Sequence, residues 1–455
     1  MKIIIVGDGK VGGTLAEQLS HEGHDITIID NNAARRHPSS DTLDIMSVDG
    51  NGAIFSVQIE AGVDKADLLI AATSADELNL LCCLVAKKVG ARHTIARVRN
   101  PEYAAELDLF REDLGLSMTV NPELACATEI ARLLRFPTAI KVDTFARGRA
   151  ELLKVELEPH SPLVGMALNT LGAQNFHILI AAVERGEDQV YIPGGDFVLQ
   201  AGDRISVAAR PADAVDFFKR IGILKAPIHN VMIIGGGRIA YYLARQLLES
   251  RINVKIIDQD HERCNQLAEL LPQATIIHGD GTDQQLLSEE GLGQMDAFVS
   301  MTGIDEENIL LSLYAKHHSH AKVITKINRI SFLEIFGSTE LGSVFSPRYI
   351  AAESIVRYVR GMQNSYGSKI ETLYRIVNNR AEALEFRVGA DSAVCDKPLM
   401  ELQFRKNLLV CCINRHGKIL IPRGQDRIQP DDTVIIVTTN TGLSELDDIL
   451  EKKRG

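Results

Sequence analysis

Two glycine-rich turns hold the residues of this chain that are best suited to binding a phosphate group. Their patterns are G-x-G-x-x-G at residues 7–12 and G-x-G-x-x-A at residues 235–240. Each turn follows a short apolar run and precedes a segment with helical spacing, which predicts a strand, a tight turn and a helix. There, backbone amides approach a pyrophosphate, and the helix N-terminus adds unpaired N–H groups and a partial positive charge. The candidate binding residues are Gly7, Asp8, Gly9, Lys10, Val11 and Gly12 in the first turn, and Gly235, Gly236, Gly237, Arg238 and Ile239 in the second.

An aspartate follows each turn at the spacing expected of a ribose contact. Asp30 lies 18 residues after Gly12, at the end of the predicted second strand, and Asp258 has the same place after the second turn. A carboxylate here accepts hydrogen bonds from both ribose hydroxyls of an adenosine and repels a 2′-phosphate. The pattern therefore predicts NAD(H) or another adenine nucleotide in preference to NADP(H).

Further candidates follow other predicted strands and should meet at the same edge of the sheet, because the carboxyl ends of parallel strands lie together. They are Asp49, Gly50, Thr73, Ser74 and Arg97 after the first turn, and Asp280, Thr302 and Lys326 after the second. Comparison of the two copies pairs Asp49-Gly50 with Asp280-Gly281, after the third strands. Arg97 and Lys326 would supply positive charge to a phosphate or to a neighbouring subunit. A surface ion pair explains these two residues equally well.

The two turns belong to a tandem repeat that covers nearly the whole chain. Gly7 and Gly235 are 228 residues apart, and the segment DLLIAATSADELN (67–79) matches DAFVSMTGIDEEN (296–308). The helical segments 122–135 and 347–360 also match. Ala240 replaces the last glycine of the motif, and one methyl group is tolerated there. The second copy is therefore either a second working site or a purely structural copy.

Each copy alternates short apolar strands with amphipathic helices and then changes character. In the first copy the predicted strands are residues 3–6, 26–29, 45–48, 68–72 and 94–98, which indicates an α/β fold with a doubly wound, Rossmann-like parallel sheet. Alternating segments then predict a small α+β domain that ends in a short helix, at 212–221 and 443–451. We expect an irregular helix around Pro38 and a linker at 218–230. The predicted domains are 1–121, 138–222, 228–345 and 366–453, with crossover helices at 122–137 and 346–361.

Composition restricts the class of protein. The net charge of −11 argues against a nucleic-acid partner. The seven cysteines include no CxxC pair, and a reduced cytoplasmic protein fits them best. We expect neither a signal peptide nor a membrane-spanning segment. No catalytic motif or metal-ligand spacing is present; His317, His318 and His320 cluster near a predicted helix end, where solvated side chains are common. Acidic turns at 202–203 and 430–432 leave open a cation site in the small domains.

The segments GDGKVGGTLAEQL (7–19), ITIID (26–30), TSADELN (73–79) and IARVRNPEY (95–103), with the tandem repeat, resemble the TrkA family. Members of this family contain regulator-of-potassium-conductance (RCK) domains. The resemblance implies two RCK units per chain, NAD(H) and ATP or ADP as ligands, and four chains forming a ring of eight Rossmann lobes. It also implies a peripheral position on the inner face of the cell membrane, with an integral-membrane, TrkH- or TrkG-like potassium-translocating subunit as partner. The function implied is nucleotide-dependent gating without catalysis. The alternative is an NAD-dependent oxidoreductase with an unrecognised substrate pocket at 138–222 or 366–452.

Overall fold

The structure is a computed structural model. It describes residues 1–31, 45–173, 176–186, 189–223, 226–329, 341–364, 370–376, 380–440, 443 and 445–451. The irregular helix expected around Pro38 lies outside these residues.

The first Rossmann-like domain is a six-stranded parallel sheet flanked by helices. Its strand order is β3-β2-β1-β4-β5-β6, the doubly wound order, with the switch between β1 and β4. The side chains of Ile3, Ile4 and Ile5 on the central strand are fully buried, because helices cover both faces of the sheet. The strands are Lys2–Val6 (β1), Asp25–Asp30 (β2), Ile45–Asp49 (β3), Leu68–Ala71 (β4), His93–Arg97 (β5) and Met118–Val120 (β6); the helices are Lys10–His21 (α1), Phe55–Glu60 (α2), Asp76–Val89 (α3), Pro101–Phe110 (α4) and Pro122–Arg135 (α5).

The first small domain is an antiparallel sheet with the order β10-β9-β11-β8-β7. Its elements are Lys141–Phe145 (β7), Ala150–Glu156 (β8), Leu168–Ala173 (α6), Ile178–Arg185 (β9), Gln189–Tyr191 (β10), Arg204–Ala209 (β11) and Pro211–Arg220 (α7). The helix α7 buries Phe217 and Phe218 completely. The predicted linker at 218–230 therefore starts within α7, because its first residue belongs to the part of the helix that these two aromatic side chains hold in the core.

The second copy repeats both architectures. Its parallel sheet has the order β14-β13-β12-β15-β16-β17 and its antiparallel sheet the order β18-β19-β22-β20-β21. The Rossmann-like domain contains Asn230–Ile234 (β12), Arg238–Glu249 (α8), Asn253–Asp258 (β13), His261–Leu270 (α9), Thr275–His278 (β14), Gln284–Glu289 (α10), Ala297–Ser300 (β15), Asp305–His318 (α11), Lys322–Lys326 (β16), Ser343–Phe345 (β17) and Pro347–Asn364 (α12). The small domain contains Ile370–Ile376 (β18), Ala381–Arg387 (β19), Leu408–Arg415 (β20), Lys418–Leu420 (β21) and Thr433–Thr438 (β22).

The α/β fold class, with two Rossmann-like sheets and two small α+β domains, is confirmed. The helix expected at 443–451 is wrong in the part that the structure describes, where only a 3₁₀ turn, Leu446–Ile449, forms. The side chain of Asp447 accepts hydrogen bonds from the Ala393 backbone amide at 3.1 Å and from the Ser392 hydroxyl. These bonds hold the segment in a tight turn, and an acidic capping box satisfies the start of this single turn.

The chain forms two compact units, residues 1–131 with 229–356, and residues 132–228 with 357–455. Within the first unit, the two Rossmann-like domains share polar contacts around Tyr242, whose side chain is buried. Its hydroxyl accepts a hydrogen bond from Asn121 Nδ2 at 3.0 Å and donates one to the Arg99 carbonyl oxygen at 3.3 Å. Gln246 on α8 also donates to Thr128 on α5, at 3.2 Å. The two repeats are therefore packed as one body in this unit.

Within the second unit, the two antiparallel sheets share one apolar cluster. It combines small residues such as Ala150 and Ala182 of the first sheet with Ala383, Cys411 and Cys412 of the second. No helix of the described residues has the length and apolar character needed to cross a membrane.

Candidate functional site

The first glycine turn has the geometry of a phosphate-binding loop. Gly7 has a φ of +100°, and a Cβ there would lie 3.1 Å from the Thr73 backbone nitrogen. A Cβ at Gly12 would lie 3.1 Å from the Gly7 carbonyl carbon and overlap its oxygen, so glycine is required for the helix to approach the turn. At Gly9, in contrast, a Cβ would meet nothing within 4 Å. The loop is thus closed on the protein side and open on the other side, as a ligand cradle requires.

Both glycine turns lead into helices that lack a side-chain cap. Gly9 precedes α1 and Gly237 precedes α8, and neither helix has a side chain that accepts a hydrogen bond from its first turn. The first N–H groups of a helix need acceptors, and an anion can supply them. A Cβ at Gly237 would also meet nothing within 4 Å. Both helix N-termini therefore fit the pyrophosphate of a nucleotide, although the second loop contains Ala240, whose methyl group is fully buried.

The strand-end aspartates hold the glycine turns in place. Asp30 Oδ2 accepts a hydrogen bond from the Asp8 amide at 2.6 Å, and Asp258 Oδ2 accepts one from the Gly236 amide at 2.5 Å. Asp258 Oδ1 also accepts from the Asp260 amide at 2.8 Å. The two carboxylates therefore have the same structural contact in both copies, and each lies beside the loop, where a ribose would follow the pyrophosphate.

An arginine that the sequence analysis missed contacts the second glycine turn. Arg263 on α9 donates from Nε to the Gly236 carbonyl oxygen at 2.6 Å. Burial lowers the pKa of Arg263, and the negative charge of Asp258 opposes this effect. Arg263 therefore brings a positive charge to the glycine turn, next to the strand-end aspartate. A signal was present in the sequence, because Arg263 is five residues after Asp258 at the start of a predicted helix.

The ends of the third strands do not correspond as the sequence comparison paired them. The Gly50 amide donates to the Asp30 carbonyl oxygen at 2.9 Å, and the Gly279 amide donates to that of Asp258 at 3.0 Å. Gly50 therefore corresponds to Gly279, and Asp49 pairs in register with Asp30 as His278 does with Asp258. Asp280 then corresponds to Asn51.

Asp280 is involved in local turn structure. Its Oδ1 accepts from the Thr282 amide and hydroxyl, both at 2.8 Å, and these hydrogen bonds lower its pKa. Asp49 is exposed at the end of its strand. The pairing of Asp49 with Asp280 was therefore off by two residues, because the short turns between them give no sequence signal of register.

The residues after the fourth strands are organised by two asparagines that the sequence analysis also missed. Asn79 is completely buried, and its Oδ1 accepts from the Thr73 amide at 2.8 Å and from the Thr73 hydroxyl at 2.7 Å. Its Nδ2 donates to the Arg97 carbonyl oxygen at 2.9 Å. Asn308 makes the matching bonds to the Thr302 amide (2.8 Å) and the Lys326 carbonyl oxygen (3.1 Å). The only sequence signal was the recurrence of both asparagines in the repeated segment.

Ser74 and Asp76 complete this corner of the first domain. The Ser74 carbonyl oxygen accepts a hydrogen bond from the Arg99 guanidinium. Asp76 Oδ2 accepts from the backbone amides of Arg99 and Asn100, both at 2.8 Å. Asp305 accepts from Asn328 and Arg329 in the same way. The TSADELN segment thus fixes the ends of two neighbouring strands at the sheet edge.

Arg97 forms an ion pair, as one of the two interpretations had it, but the pair is largely buried, and Lys326 contacts a backbone carbonyl instead. The side chain of Arg97 is 16% exposed and lies 3.7 Å from Glu123 on α5. Lys326 Nζ donates to the Thr302 carbonyl oxygen at 2.9 Å. Burial lowers the pKa of both bases; the charge of Arg238 also lowers that of Arg97, and Lys10 that of Lys326. These two contributions are smaller than those of the nearby carboxylates, Glu123 at Arg97 and Asp305 at Lys326, which raise the pKa.

The other chemical candidates have structural roles. Asp203 and Asp432, from the acidic turns, are buried and form bidentate ion pairs with Arg185 and Arg415, with distances of 2.8–3.0 Å in the closest contacts. Their oxygens are thereby occupied, which explains these turns without a cation. Among the residues that the structure describes, no group of three or more His, Cys, Asp and Glu side chains is arranged to hold a metal ion.

The cysteines and the helix-end histidines also occupy ordinary structural positions. Cys82 and Cys83 are fully buried, and burial raises the pKa of Cys82 to about 12. Such a thiol stays protonated at neutral pH and is a poor nucleophile. His317 and His318 end the helix α11, as predicted.

Comparison with known proteins assigns the family. The TrkA-N domain model matches residues 3–122 and 231–347, and the TrkA-C domain model matches residues 152–222 and 383–451. The Trk system potassium uptake protein TrkA homolog 1 of Methanosarcina mazei is 34% identical over 457 residues, which covers 98% of this chain and 99% of the relative. The Trk system potassium uptake protein TrkA of Vibrio alginolyticus is 33% identical over 97% of this chain and 96% of its own length.

Solved structures share the fold. The GsuK channel superposes with a TM-score of 0.65 at 18% identity, covering 96% of this chain and 77% of that chain. The GsuK channel bound to NAD gives 0.63 at 19% identity with the same coverage. The isolated GsuK RCK domain gives 0.63 at 18% identity, covering 96% of this chain and 92% of that one. With two glycine loops, two strand-end aspartates and both domain types present twice in the same order, the chain belongs to the TrkA family.

Proposed function

We propose that this protein is a nucleotide-binding regulatory subunit of a potassium-uptake system. The observation that carries the proposal is the duplicated cradle: a glycine loop tied to a strand-end aspartate and opening on an uncapped helix N-terminus. It occurs in a chain that matches curated Trk potassium-uptake proteins over nearly its full length. The protein would act at the cytoplasmic face of the membrane, on an integral-membrane potassium-translocating subunit.

The proposed ligands are NAD(H) and ATP or ADP. The pyrophosphate would lie on the N–H groups that follow Gly9 and Gly237, and the adenosine ribose would bind Asp30 and Asp258. Both carboxylates would repel a 2′-phosphate, so NADP(H) should bind more weakly. The GsuK channel has been solved with NAD and with ADP, which supports adenine nucleotides as a ligand class for this fold.

The two sites differ within the glycine motif, where Ala240 replaces Gly12. Arg263 is not part of this difference, because Arg35 follows Asp30 at the same spacing in the first copy. We expect both sites to bind nucleotide, with different preferences, and the purely structural interpretation of the second copy predicts one nucleotide per chain instead of two.

Regulation of potassium uptake would come from a ring of chains that has two conformations, to which the nucleotides bind with unequal affinity. Four chains would supply eight Rossmann lobes, and a ligand shifts such an assembly only if it binds its conformations unequally. Exposed apolar side chains at matching positions on α3 and α11, Leu81 and Leu310, offer equivalent surfaces for lobe-to-lobe contacts. A coupling of about 1–3 kcal/mol per site is typical of such systems.

The nucleotide would remain chemically unchanged. The test is to measure the stoichiometry of NADH and ATP binding by calorimetry, to follow nicotinamide absorbance with candidate metabolites, and to measure potassium flux in vesicles that contain the membrane subunit. We expect two nucleotides per chain, constant absorbance and nucleotide-dependent flux. Sustained NADH oxidation by the purified chain would favour the oxidoreductase alternative, and flux that ignores both nucleotides would refute the regulatory role.

A further inference from the structure

The helix α8, which begins at the second glycine turn, is joined to the first Rossmann-like domain by the hydroxyl group of Tyr242. This hydroxyl donates a hydrogen bond to the Arg99 carbonyl oxygen at 3.3 Å and accepts one from Asn121 Nδ2 at 3.0 Å. Burial raises the pKa of the Tyr242 phenol, so the hydroxyl stays protonated at neutral pH and keeps its donor. The bond therefore connects the helix of one candidate nucleotide site to the domain that contains the other.

On the side of the first domain, Arg99 belongs to the corner of the first site. Its backbone amide donates to Asp76 Oδ2 at 2.8 Å, and its guanidinium donates to the Ser74 carbonyl oxygen. Ser74 follows Thr73, whose backbone nitrogen lies only 3.1 Å from the position of a Cβ on Gly7. A shift of the Arg99 backbone is therefore passed directly to the segment that packs against the first glycine loop.

On the side of the second domain, Tyr242 lies near the phosphate-binding end of α8. It follows Arg238, the first residue of the helix, by four residues, and is therefore about one turn from the N–H groups that would hold a pyrophosphate. Gln246, one turn further along, donates to Thr128 on α5 at 3.2 Å and adds a second contact on the same face of α8. A helix is rigid over this length, so a ligand that fixes its N-terminus also fixes the Tyr242 hydroxyl.

The equivalent position between α1 and the second domain has a different arrangement. Thr14 is the counterpart of Tyr242, counted from the glycine turns, and Ser346 is the counterpart of Asn121, since each precedes the proline of its crossover helix. Thr14 Oγ1 donates to the Lys10 carbonyl oxygen of its own helix at 2.9 Å. Ser346 Oγ is buried and has no hydrogen-bond partner within the part of the chain that the structure describes. The fold therefore forms in the second copy without these hydrogen bonds, so packing of the two domains alone does not explain them.

We propose that Tyr242 is a positioning residue that couples the two nucleotide sites of each chain, so that a nucleotide at the second glycine loop tightens binding at the first. This inference rests on the proposed function, since it requires nucleotides at both sites. A nucleotide at the second loop would order α8 and, through the Tyr242 hydroxyl, the corner around Arg99. The first site would then lose less conformational freedom when its own ligand binds. Linkage requires the effect to be reciprocal, with the same factor in both directions.

Calorimetric titration of the full chain with NADH measures the coupling. The variant Asp258→Ala reports the first site alone and Asp30→Ala the second site alone, at NADH concentrations that leave the weakened site empty. Without coupling, the titration curve of the parent equals the sum of these two curves. A hydrogen bond of ordinary strength changes an equilibrium constant by about 2- to 12-fold, so the NADH that binds last to the parent should bind more tightly than the sum predicts by a factor in this range.

Three variants test the role of the hydroxyl, each titrated alone and combined with the two single-site variants. Tyr242→Phe removes the hydroxyl and keeps the ring, which packs against Tyr241 with the ring centroids 5.4 Å apart. Tyr241→Phe is the matched control, because it makes the same chemical change in the neighbouring residue. Asn121→Ser introduces the residue of the second copy, which is too short to reach Tyr242. It keeps a side-chain oxygen for the Leu124 amide, which Asn121 Oδ1 binds at 2.9 Å.

We expect Tyr242→Phe to bind two NADH per chain with the parental single-site affinities and no coupling, Asn121→Ser to show reduced coupling, and Tyr241→Phe to keep the parental factor. If Tyr242→Phe does not fold, Asn121→Ser decides. A purely structural role would lower stability or the single-site affinities and leave the coupling intact, which would overturn the proposal.

The parent separates this proposal from the proposed function. Two independent sites in the parent, or one nucleotide per chain, would overturn the coupling and leave a nucleotide-binding role standing. A parent that binds no nucleotide would refute the proposed ligands and the coupling together.

Discussion

Replacing Asn79 with alanine should destabilise the first Rossmann-like domain and weaken its nucleotide site. The Asn79 side chain joins the end of β4 to the end of β5 through hydrogen bonds to the Thr73 amide and the Arg97 carbonyl oxygen, at 2.8 and 2.9 Å. It is completely buried, so water does not replace these bonds without entering the core. The third and fourth bonds, to the Thr73 hydroxyl and carbonyl, have alternative partners in Ala75 and Arg97.

The magnitude follows from the two groups that lose their partner. An unpaired buried donor or acceptor costs about 1–3 kcal/mol, so Asn79→Ala should lower the free energy of unfolding by about 2–6 kcal/mol. At a urea dependence of about 2 kcal/mol per M, that corresponds to a decrease of about 1–3 M in the urea midpoint. The Thr73 amide also lies 3.1 Å from the position of a Cβ on Gly7, so loosening this corner should disturb the glycine loop.

Urea unfolding and NADH titration of Asn79→Ala measure both effects. Asn308→Ala is the matched variant and should destabilise the second domain similarly while leaving the first site intact. Asn51→Ala, in an exposed turn, serves as the control and should cost less than about 1 kcal/mol. If Asn79→Ala unfolds at the urea concentration of the parent, the argument from buried hydrogen bonds is refuted.

Three further predictions concern the loops and the small domain. Gly12→Ala should lower stability by about 1–3 kcal/mol and weaken NADH binding, because its Cβ overlaps the backbone of the loop. Ala240→Gly should cost about 1–2 kcal/mol, through lower helix propensity and the loss of a buried methyl group. Thermal unfolding with and without NADH distinguishes the two variants. Asp30→Ala and Asp258→Ala should each weaken adenosine binding at their own site by about tenfold or more, and calorimetry that resolves two undiminished sites in either variant would contradict the assignment. Burial raises the pKa of Glu151, so the folded state binds a proton more readily than the unfolded state. The stability that this proton contributes is fully present below about pH 4.5 and is lost as the pH rises through the folded pKa. Glu151→Gln should therefore unfold at a higher temperature than the parent at neutral pH, and the difference should shrink below pH 4.5; an equal difference at both pH values would show that burial of the charge is not the cause.

The sequence was sufficient for the parts of the fold that depend on local pattern. Apolar runs of four or five residues, separated by amphipathic helices, predicted the parallel strands, and the crossover helices α5 and α12 begin at Pro122 and Pro347, within one residue of the predicted starts. The glycine turns were predictable because each of them depends on the local backbone. Gly7 has a left-handed φ and Gly12 has no room for a Cβ, and both conditions select glycine at that one position. The domain boundaries and the binding roles of the site residues stay predictions.

Errors occurred where the outcome depended on residues far apart in the chain. The sequence allowed an ion pair at Arg97 but not its burial, which depends on the packing of Glu123 from α5 against the strand end. The carboxylate of Asp203 was a candidate cation ligand because its partner, Arg185, is 18 residues away on another strand. Short-range pattern contains no information on which of several charged side chains an acidic group will meet.

By itself, the sequence determined that the chain carries two Rossmann-like folds, each with a glycine loop and a strand-end aspartate, because these features follow from backbone conformation and from the periodicity of burial. Only the tertiary structure decided how the site corners are held together, through Asn79 and Asn308, which strand ends correspond between the copies, and which charges face the loops. The physical reason is that hydrogen-bond partners and burial are set by distances in space, and tertiary packing brings together residues whose separation along the chain has no fixed relation to those distances.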